Sequence, residues 1–99
     1  MIVHNIAFRL AEEDPVLKQE QAAEFKRRIE SLAGNIPTLK SMTVGLDDGR
    51  DPAHYDLVLV STHDTVADLD AYQAHPLHVA LIEYGKTIVS ERACVDYEV

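Results

Sequence analysis

The order of apolar and polar positions along the chain predicts six elements: strand, helix, strand, strand, helix and strand. Residues 2–10 are rich in Ile, Val and Phe and predict the first strand. Asp14-Pro15 indicates an N-cap followed by proline at the first helical position, so we expect a helix to about residue 33. Gly34 is suited to terminate it. The apolar residues of this helix recur every three or four positions, as on one buried stripe: Ala22, Phe25, Ile29 and Leu32.

Three further segments predict strands. Residues 39–46 form the second, residues 55–62 the third and residues 91–98 the last. The third contains the continuous apolar run Leu57-Val-Leu-Val60, which is typical of a strand buried on both faces.

A proline divides the second helical region. Either Thr62 or Asp64 can cap its start. Because the residue before a proline avoids the helical conformation, we expect His75 to lie at a kink before Pro76. A further helix is then expected from about residue 77 to 88.

This βαββαβ order in 99 residues predicts one α+β domain, residues 1–99, with the ferredoxin-like plan. In that plan a four-stranded antiparallel sheet carries its helices on one face. The other face would be bare, and a monomer rarely exposes a large apolar face. Two sheets packed face to face solve this, so we expect a homodimer that forms a dimeric α/β barrel.

Composition and charge narrow the classes of partner. Seventeen acidic and nine basic side chains give a net charge of −8. This excludes a general nucleic-acid binder, because such proteins bind phosphates through Lys and Arg. The charge also argues against an anionic membrane surface, and no apolar run approaches the roughly 20 residues that span a bilayer. We therefore expect neither nucleic acid nor membrane as a partner.

The single cysteine and the first residues bear on the compartment. Cys94 alone permits no internal disulfide and no cysteine-based zinc site. It lies in the middle of a strand without a Cys-His motif, so we predict a small core residue rather than a nucleophile. The first residues lack the basic region and long apolar stretch of a signal peptide. We expect a cytoplasmic protein.

The segment around the predicted kink carries the candidate chemistry. His75 and His78 flank a proline and have no third soft ligand nearby, so we expect no metal site and no cofactor. Asp96 on the last strand could hold one ring nitrogen of His78 and make the other a better general base. Tyr72 could donate to a developing enolate in the same cavity. Alternatively, the bond between His78 and Asp96 is only structural.

Five segments of the chain, in this order, resemble the stress-responsive dimeric α/β-barrel family, called Dabb. The most specific part is a Tyr-x-x-His-Pro-x-His motif joined to a Val-Asp-Tyr near the C-terminus. The resemblance implies a ferredoxin-like protomer whose sheet packs on that of a partner. The segments are Ile2-Val-His-Asn-Ile-Ala-Phe8, Ile36-Pro-Thr-Leu-Lys40, Tyr55-Asp-Leu-Val-Leu-Val60, Tyr72-Gln-Ala-His-Pro-Leu-His78 and Val95-Asp-Tyr97.

One member of that family is a plant polyketide cyclase, and the resemblance carries over its site. It implies His78 as the catalytic base, Tyr72 as the assisting phenol and Asp96 as the supporting carboxylate. The positions of His4 and Lys40 match pocket residues.

We add His75 to His4 and Lys40 as candidates for substrate binding. The chain departs from the cyclase at Asp56, where the cyclase has a pocket histidine. It also has only six aromatic residues among Phe, Trp and Tyr, so a long alkyl tunnel is not evident.

Three function classes follow. The first is a small homodimeric stress-responsive protein with a small-molecule pocket near Tyr72 and His78. The second is a cofactor-free enzyme, like a polyketide cyclase or an isomerase, with His78 as general base. The third is a cofactor-free monooxygenase, which shares the dimeric barrel plan. It is disfavoured because the chain has no Trp.

Overall fold

The computed structural model describes all residues, 1–99, and has the predicted order with the second helical region in two pieces. The structure has four strands and three helices. They are β1 (Ile2–Leu10), α1 (Pro15–Glu30), β2 (Ser41–Leu46), β3 (Leu57–His63), α2 (Val66–Ala74), α3 (Pro76–Gly85) and β4 (Val89–Glu98). No helix is long and apolar enough to cross a membrane.

The strands form one antiparallel sheet in the order β2-β3-β1-β4. β1 therefore lies between β3 and β4, and each of its residues has a neighbour on both sides. His4 is paired with Ser61 on β3 and with Asp96 on β4. The ferredoxin-like α+β fold predicted from the sequence is confirmed.

The helices cover one face of the sheet, as the βαββαβ order predicts. Every second residue of β1 is buried there, because side chains of a strand point alternately to opposite faces. Phe8 packs against Phe25 of α1, with ring centroids 5.0 Å apart. The main core joins the sheet to α1, with these buried residues: Ile6, Phe8, Leu10, Ala22, Phe25, Ile29, Val44, Leu57 and Leu59.

The opposite face of the sheet carries no helix. The register places on it Val3, Asn5, Ala7, Arg9, Ser41, Thr43, Gly45, Val58, Val60, Thr62, Glu91, Ala93, Val95 and Tyr97; we call this the bare face. Val58 is 39% exposed and Val95 is 65% exposed. The expectation that the run from residue 57 to 60 is buried on both faces is therefore wrong for the single chain, since only Leu57 and Leu59 are buried.

The start of α1 is as predicted, but its end is not. The carboxylate of Asp14 accepts hydrogen bonds from the backbone N–H of Val16 and Leu17, which caps the helix. The helix ends at Glu30, before the expected residue 33. Gly34 adopts a φ of 80° in the turn that follows rather than at the helix end itself.

The cap of the second helical region is Thr65, one residue after Asp64 and three after Thr62, the two predicted caps. The Thr65 hydroxyl accepts from the backbone N–H of Asp68 and begins α2. The kink at His75 is confirmed, because this residue is extended, with a ψ of 138°. Its Nδ1 accepts from the backbone N–H of Leu77 at 3.1 Å and so caps α3.

Candidate functional site

A cavity of about 550 Å³ lies between α1, α3 and the helix-covered face of the sheet. The polar side chains on its wall are those of His78, Gln73, Lys86 and Arg92. The apolar part of the lining comes from both helices and three strands. The lining residues are Ile6, Phe8, Phe25, Ile29, Leu59, Gln73, His78, Leu81, Ile82, Gly85, Lys86, Val89 and Arg92.

A second cleft of similar size, about 580 Å³, lies under the loop before β3. Charged and polar residues form most of its lining, including Arg9, Lys18 and Asp56. Asp56 already accepts from the backbone N–H of Leu10 at 2.7 Å. Small-molecule sites are mostly apolar with few polar groups, so the first cavity is the better candidate.

His78 is held in one tautomer by the backbone. Its Nδ1 lies 3.0 Å from the carbonyl oxygen of Gln73, and because a carbonyl only accepts, Nδ1 carries the proton. Nε2 therefore has a lone pair, and no group of the protein hydrogen-bonds to it. Burial lowers the pKa of His78 below its ordinary value, so the ring is neutral at pH 7.

Tyr72 lies between two histidine rings. Its ring centroid is 4.8 Å from that of His63 and 4.6 Å from that of His78. Tyr72 is fully buried, its hydroxyl has no hydrogen-bond partner, and burial raises its pKa to about 12. The predicted proximity to His78 is present, but Tyr72 does not line the cavity.

His63 is a buried histidine beside Tyr72 that was not predicted from the sequence. Its Nδ1 donates to the carbonyl of Thr38 at 2.7 Å, and its Nε2 accepts from the Ser61 hydroxyl at 2.9 Å. Burial lowers the pKa of His63. Strand alternation could have found it, because His63 and Ser61 share the buried face with Leu57 and Leu59.

Asp96 binds His4, and the predicted bond between Asp96 and His78 is absent. Nδ1 of His4 lies 2.5 Å from Oδ1 of Asp96, because the two residues are paired across β1 and β4. His78 uses its Nδ1 for the backbone of Gln73 instead. Nε2 of His4 is buried and has no partner. The histidine that a carboxylate orients is therefore His4, which does not line the cavity.

The other two candidates for substrate binding lie away from the cavity. Lys40 is exposed and pairs with Asp64 at 3.5 Å. His75 caps α3 through its side chain, which is the backbone role open to a histidine before proline. Neither residue lines the cavity, and neither does His4.

Cys94 is exposed, so the prediction of a core residue is wrong. It lies on the helix-facing side of the edge strand β4, opposite Ile6. Its Sγ is 3.5 Å from Oδ1 of Asp96 and 3.9 Å from Nδ1 of His4. Burial first, and Asp96 second, raise the pKa of the thiol.

Two groups of side chains have the atoms to hold a metal ion. One is His4, Cys94 and Asp96; the other is the exposed set Asp47, Asp48 and His54. In the first group the Nδ1 proton of His4 lies between nitrogen and carboxylate. A cation would have to displace that proton and the thiol proton, so the group as it stands is a hydrogen-bonded cluster.

Comparisons with known proteins agree with this architecture. A search of curated proteins finds no match. A dimeric protein with a ferredoxin-like fold from Bacteroides fragilis NCTC 9343 is 32% identical over 99% of this chain and 95% of that chain, with a TM-score of 0.85. A dimeric ferredoxin-like protein from Thermobifida fusca YX is 28% identical over 99% and 90% of the two chains, with a TM-score of 0.78.

A third structure, an antibiotic biosynthesis monooxygenase, is 15% identical over 100% of this chain and 98% of that chain, with a TM-score of 0.77. At this identity the likeness concerns the fold alone. The family model of the stress responsive A/B barrel domain, Dabb, matches residues 2–99. The chain therefore belongs to the Dabb family.

Proposed function

We propose that this Dabb protein is a homodimer that binds a small molecule in the cavity beside His78. The cavity itself is the observation that carries the proposal. Its volume of about 550 Å³ lies within the usual range of small-molecule sites, and such sites combine apolar walls with a few polar groups. The ligand in this proposal has an apolar body that contacts Phe25, Ile29 and Leu81, and a polar group beside His78.

An uncharged fluorescent probe tests the binding site without knowledge of the natural ligand. N-phenyl-1-naphthylamine fluoresces when it enters an apolar cavity, and we expect saturable binding to the native protein. Ile82 lines the cavity, so Ile82→Trp fills it and should abolish the signal. Val66→Trp adds the same side chain at an exposed position of α2 and should leave binding unchanged. Equal binding by both variants would place the probe elsewhere.

The homodimer rests on the bare face of the sheet. The exposed apolar residues Val58, Val95 and Tyr97 lie on it, and exposed apolar residues grouped on one face are usually covered by a partner. Both bacterial relatives are described as dimeric. Sheet-on-sheet packing would cover Val58, Val60 and Val95 while leaving the cavity on the opposite, helix-covered side. Binding and assembly therefore use different faces of the sheet.

A second candidate function is general-base catalysis by His78, as in a cyclase-like or isomerase-like enzyme. The free lone pair on Nε2 favours it, because a neutral imidazole beside bound substrate can remove a proton. Tyr72 would hold the His78 ring by contact, and Asp96 would act on His4 rather than on the base. A monooxygenase activity has no support from the site residues beyond the shared fold.

The base is tested with 5-nitrobenzisoxazole, whose ring opens when one C–H proton is removed. We expect the protein to accelerate the reaction and His78→Gln to remove the acceleration. His54→Gln, which changes an exposed histidine outside the cavity, should have no effect. If the fluorescent probe binds but the ring opening is not accelerated, the binding function stands and the catalytic function is rejected.

A further inference from the structure

The cavity has a charge opposite to that of the whole protein. The chain has seventeen acidic and nine basic side chains, yet none of the cavity's lining residues is acidic and two are basic, Lys86 and Arg92. Lys86 is paired with Glu83 at 3.1 Å, which leaves Arg92 as the unpaired cation of the lining. An average piece of this surface would carry more acids than bases. Arg92 therefore gives the cavity one uncompensated positive charge on an anionic protein, and electrostatic complementarity favours an anion there.

Arg92 is the one arginine of the chain without an acidic partner. The other four each form an ion pair with a carboxylate: Arg9 with Glu91, Arg27 and Arg28 with Glu24, and Arg50 with Asp48. Arg92 lies on the helix-facing side of β4, opposite Phe8, and its guanidinium makes no hydrogen bond to the protein. Arginine presents a planar set of donors that matches a carboxylate in two bonds.

We infer that the cavity takes an organic anion, a carboxylate or a group of similar charge on an apolar body, with Arg92 as the residue that binds the anionic group. This inference rests on the proposed binding function and names its ligand class. The anionic group belongs at Arg92 rather than at His78, because Nε2 of His78 carries a lone pair that repels it. The apolar body then extends toward Phe8 and Phe25, the aromatic residues of the lining.

Two probes with the same aromatic framework separate charge from apolar binding. One is 8-anilinonaphthalene-1-sulfonate, which is anionic, and the other is uncharged N-phenyl-1-naphthylamine. We expect Arg92→Gln to weaken binding of the anionic probe about tenfold, the size expected for loss of one charged hydrogen-bonding group. Binding of the uncharged probe should change less than about twofold, since the apolar walls are intact. Added salt should weaken the binding of the anionic probe and leave the binding of the uncharged probe unchanged.

Arg50→Gln is the matched control. It removes the same charge from an exposed loop position that does not line the cavity, so neither probe should respond. Near-ultraviolet circular dichroism of each variant checks that the anionic probe reports on the folded protein. An Arg92→Gln effect that is equal for both probes, or equal to that of Arg50→Gln, would overturn the inference.

The two proposals fail in different ways. If the uncharged probe binds in the cavity and the anionic one does not, the small-molecule function stands and the ligand class is wrong. If neither probe binds, both proposals are wrong.

Competition with small aliphatic molecules provides a second measurement. Octanoate should displace the uncharged probe at a lower concentration than octanamide, and Arg92→Gln should remove that difference. Equal displacement by both molecules from the native protein would contradict the assignment of Arg92.

Discussion

His4 and Asp96 are joined across the two neighbouring strands β1 and β4, with Nδ1 of His4 2.5 Å from Oδ1 of Asp96. The histidine is buried, whereas the side chain of Asp96 is 40% exposed. The carboxylate of Asp96, on the edge strand, thus accepts the hydrogen bond that the buried ring of His4 donates. This contact ties the edge strand to the strand at the centre of the fold.

Removal of this acceptor should destabilise the protein moderately. For Asp96→Ala we expect the free energy of unfolding to fall by about 1–2 kcal/mol, the usual cost of leaving a buried polar group unpaired. Water can reach the exposed edge, which keeps the cost in this range. Asp96→Asn should cost less, because its amide oxygen still accepts from Nδ1. Urea unfolding measures all three proteins.

The control for this prediction is Asp64→Ala, which removes the exposed ion pair with Lys40. Surface pairs contribute about 0–1 kcal/mol, so this variant should lie close to the native protein. Equal stability of Asp96→Ala and Asp64→Ala would show that the His4 contact is not stabilising.

Stability should depend on pH through two buried histidines. Burial lowers the pKa of His63 and of His78 in the folded protein. As the pH falls, these histidines therefore become protonated in the unfolded chain before they do so in the folded protein. Their contribution is complete above the unfolded pKa of about 6.5 and is lost as the pH falls toward the lower folded values. The urea concentration at the unfolding midpoint should therefore decrease from pH 7.5 to pH 6.5 and again to pH 5.5.

The variant that tests this is His63→Gln, whose amide can replace both hydrogen bonds of the ring. It should show a smaller loss of stability between pH 7.5 and 5.5 than the native protein. His54→Gln, at an exposed position, should lose as much stability between pH 7.5 and 5.5 as the native protein does. If His63→Gln loses as much stability over this pH range as the native protein, other groups determine the pH dependence.

Assembly should fail when a charge is placed at the centre of the bare face. Val58 lies between Ala7 and Gly45 in the register, so Val58→Asp would bury a carboxylate in the proposed interface. Light scattering should give about 22 kDa for the native protein, twice the 11.0 kDa of the chain, and the monomer mass for the variant.

Val66→Asp, at an exposed position of α2, should remain dimeric. Stable interfaces bury more than roughly 1,000 Å² in total, so native dimers should persist at micromolar concentration. A native protein of monomer mass under those conditions would refute the dimer.

Cys94 should react with thiol reagents in the native state, but slowly. The thiol is exposed, and its position on the helix-facing side keeps it outside the proposed dimer interface. Burial and the carboxylate of Asp96 raise its pKa, which lowers the fraction of reactive thiolate. Labelling by a disulfide reagent at pH 7.5 should be complete without denaturant and faster in Asp96→Asn. Protection until unfolding would contradict the exposed position.

Strand alternation predicted the faces of the sheet correctly, because it depends only on local geometry. In β1 it separated buried Ile6 and Phe8 from Ala7 and Arg9. The ferredoxin-like plan, and with it the existence of a bare face, followed from the βαββαβ order of the elements. Helix caps were predicted well where a proline fixed the position, as at Asp14, and less well at Thr65.

The site was harder to predict because it depends on the order of strands and on their register. Asp96 was correctly expected on the helix-facing side, but three buried histidines lie on that side of the sheet: His4, His63 and His78. Only the pairing of β1 with β4 decides between them. The exposure of Cys94 and the isolation of Arg92 likewise depend on how far the helices extend over the edge strand, which no local pattern encodes.

The break between α2 and α3 determines which nitrogen of His78 is available. In an unbroken helix the carbonyl of Gln73 would accept from the backbone N–H of Leu77. Here the side chain of His75 takes that N–H, and the freed carbonyl receives the Nδ1 proton of His78. The orienting group is thus an uncharged backbone atom supplied by a proline-directed chain break, so the ring is aligned without a counter-ion that would favour its protonated form.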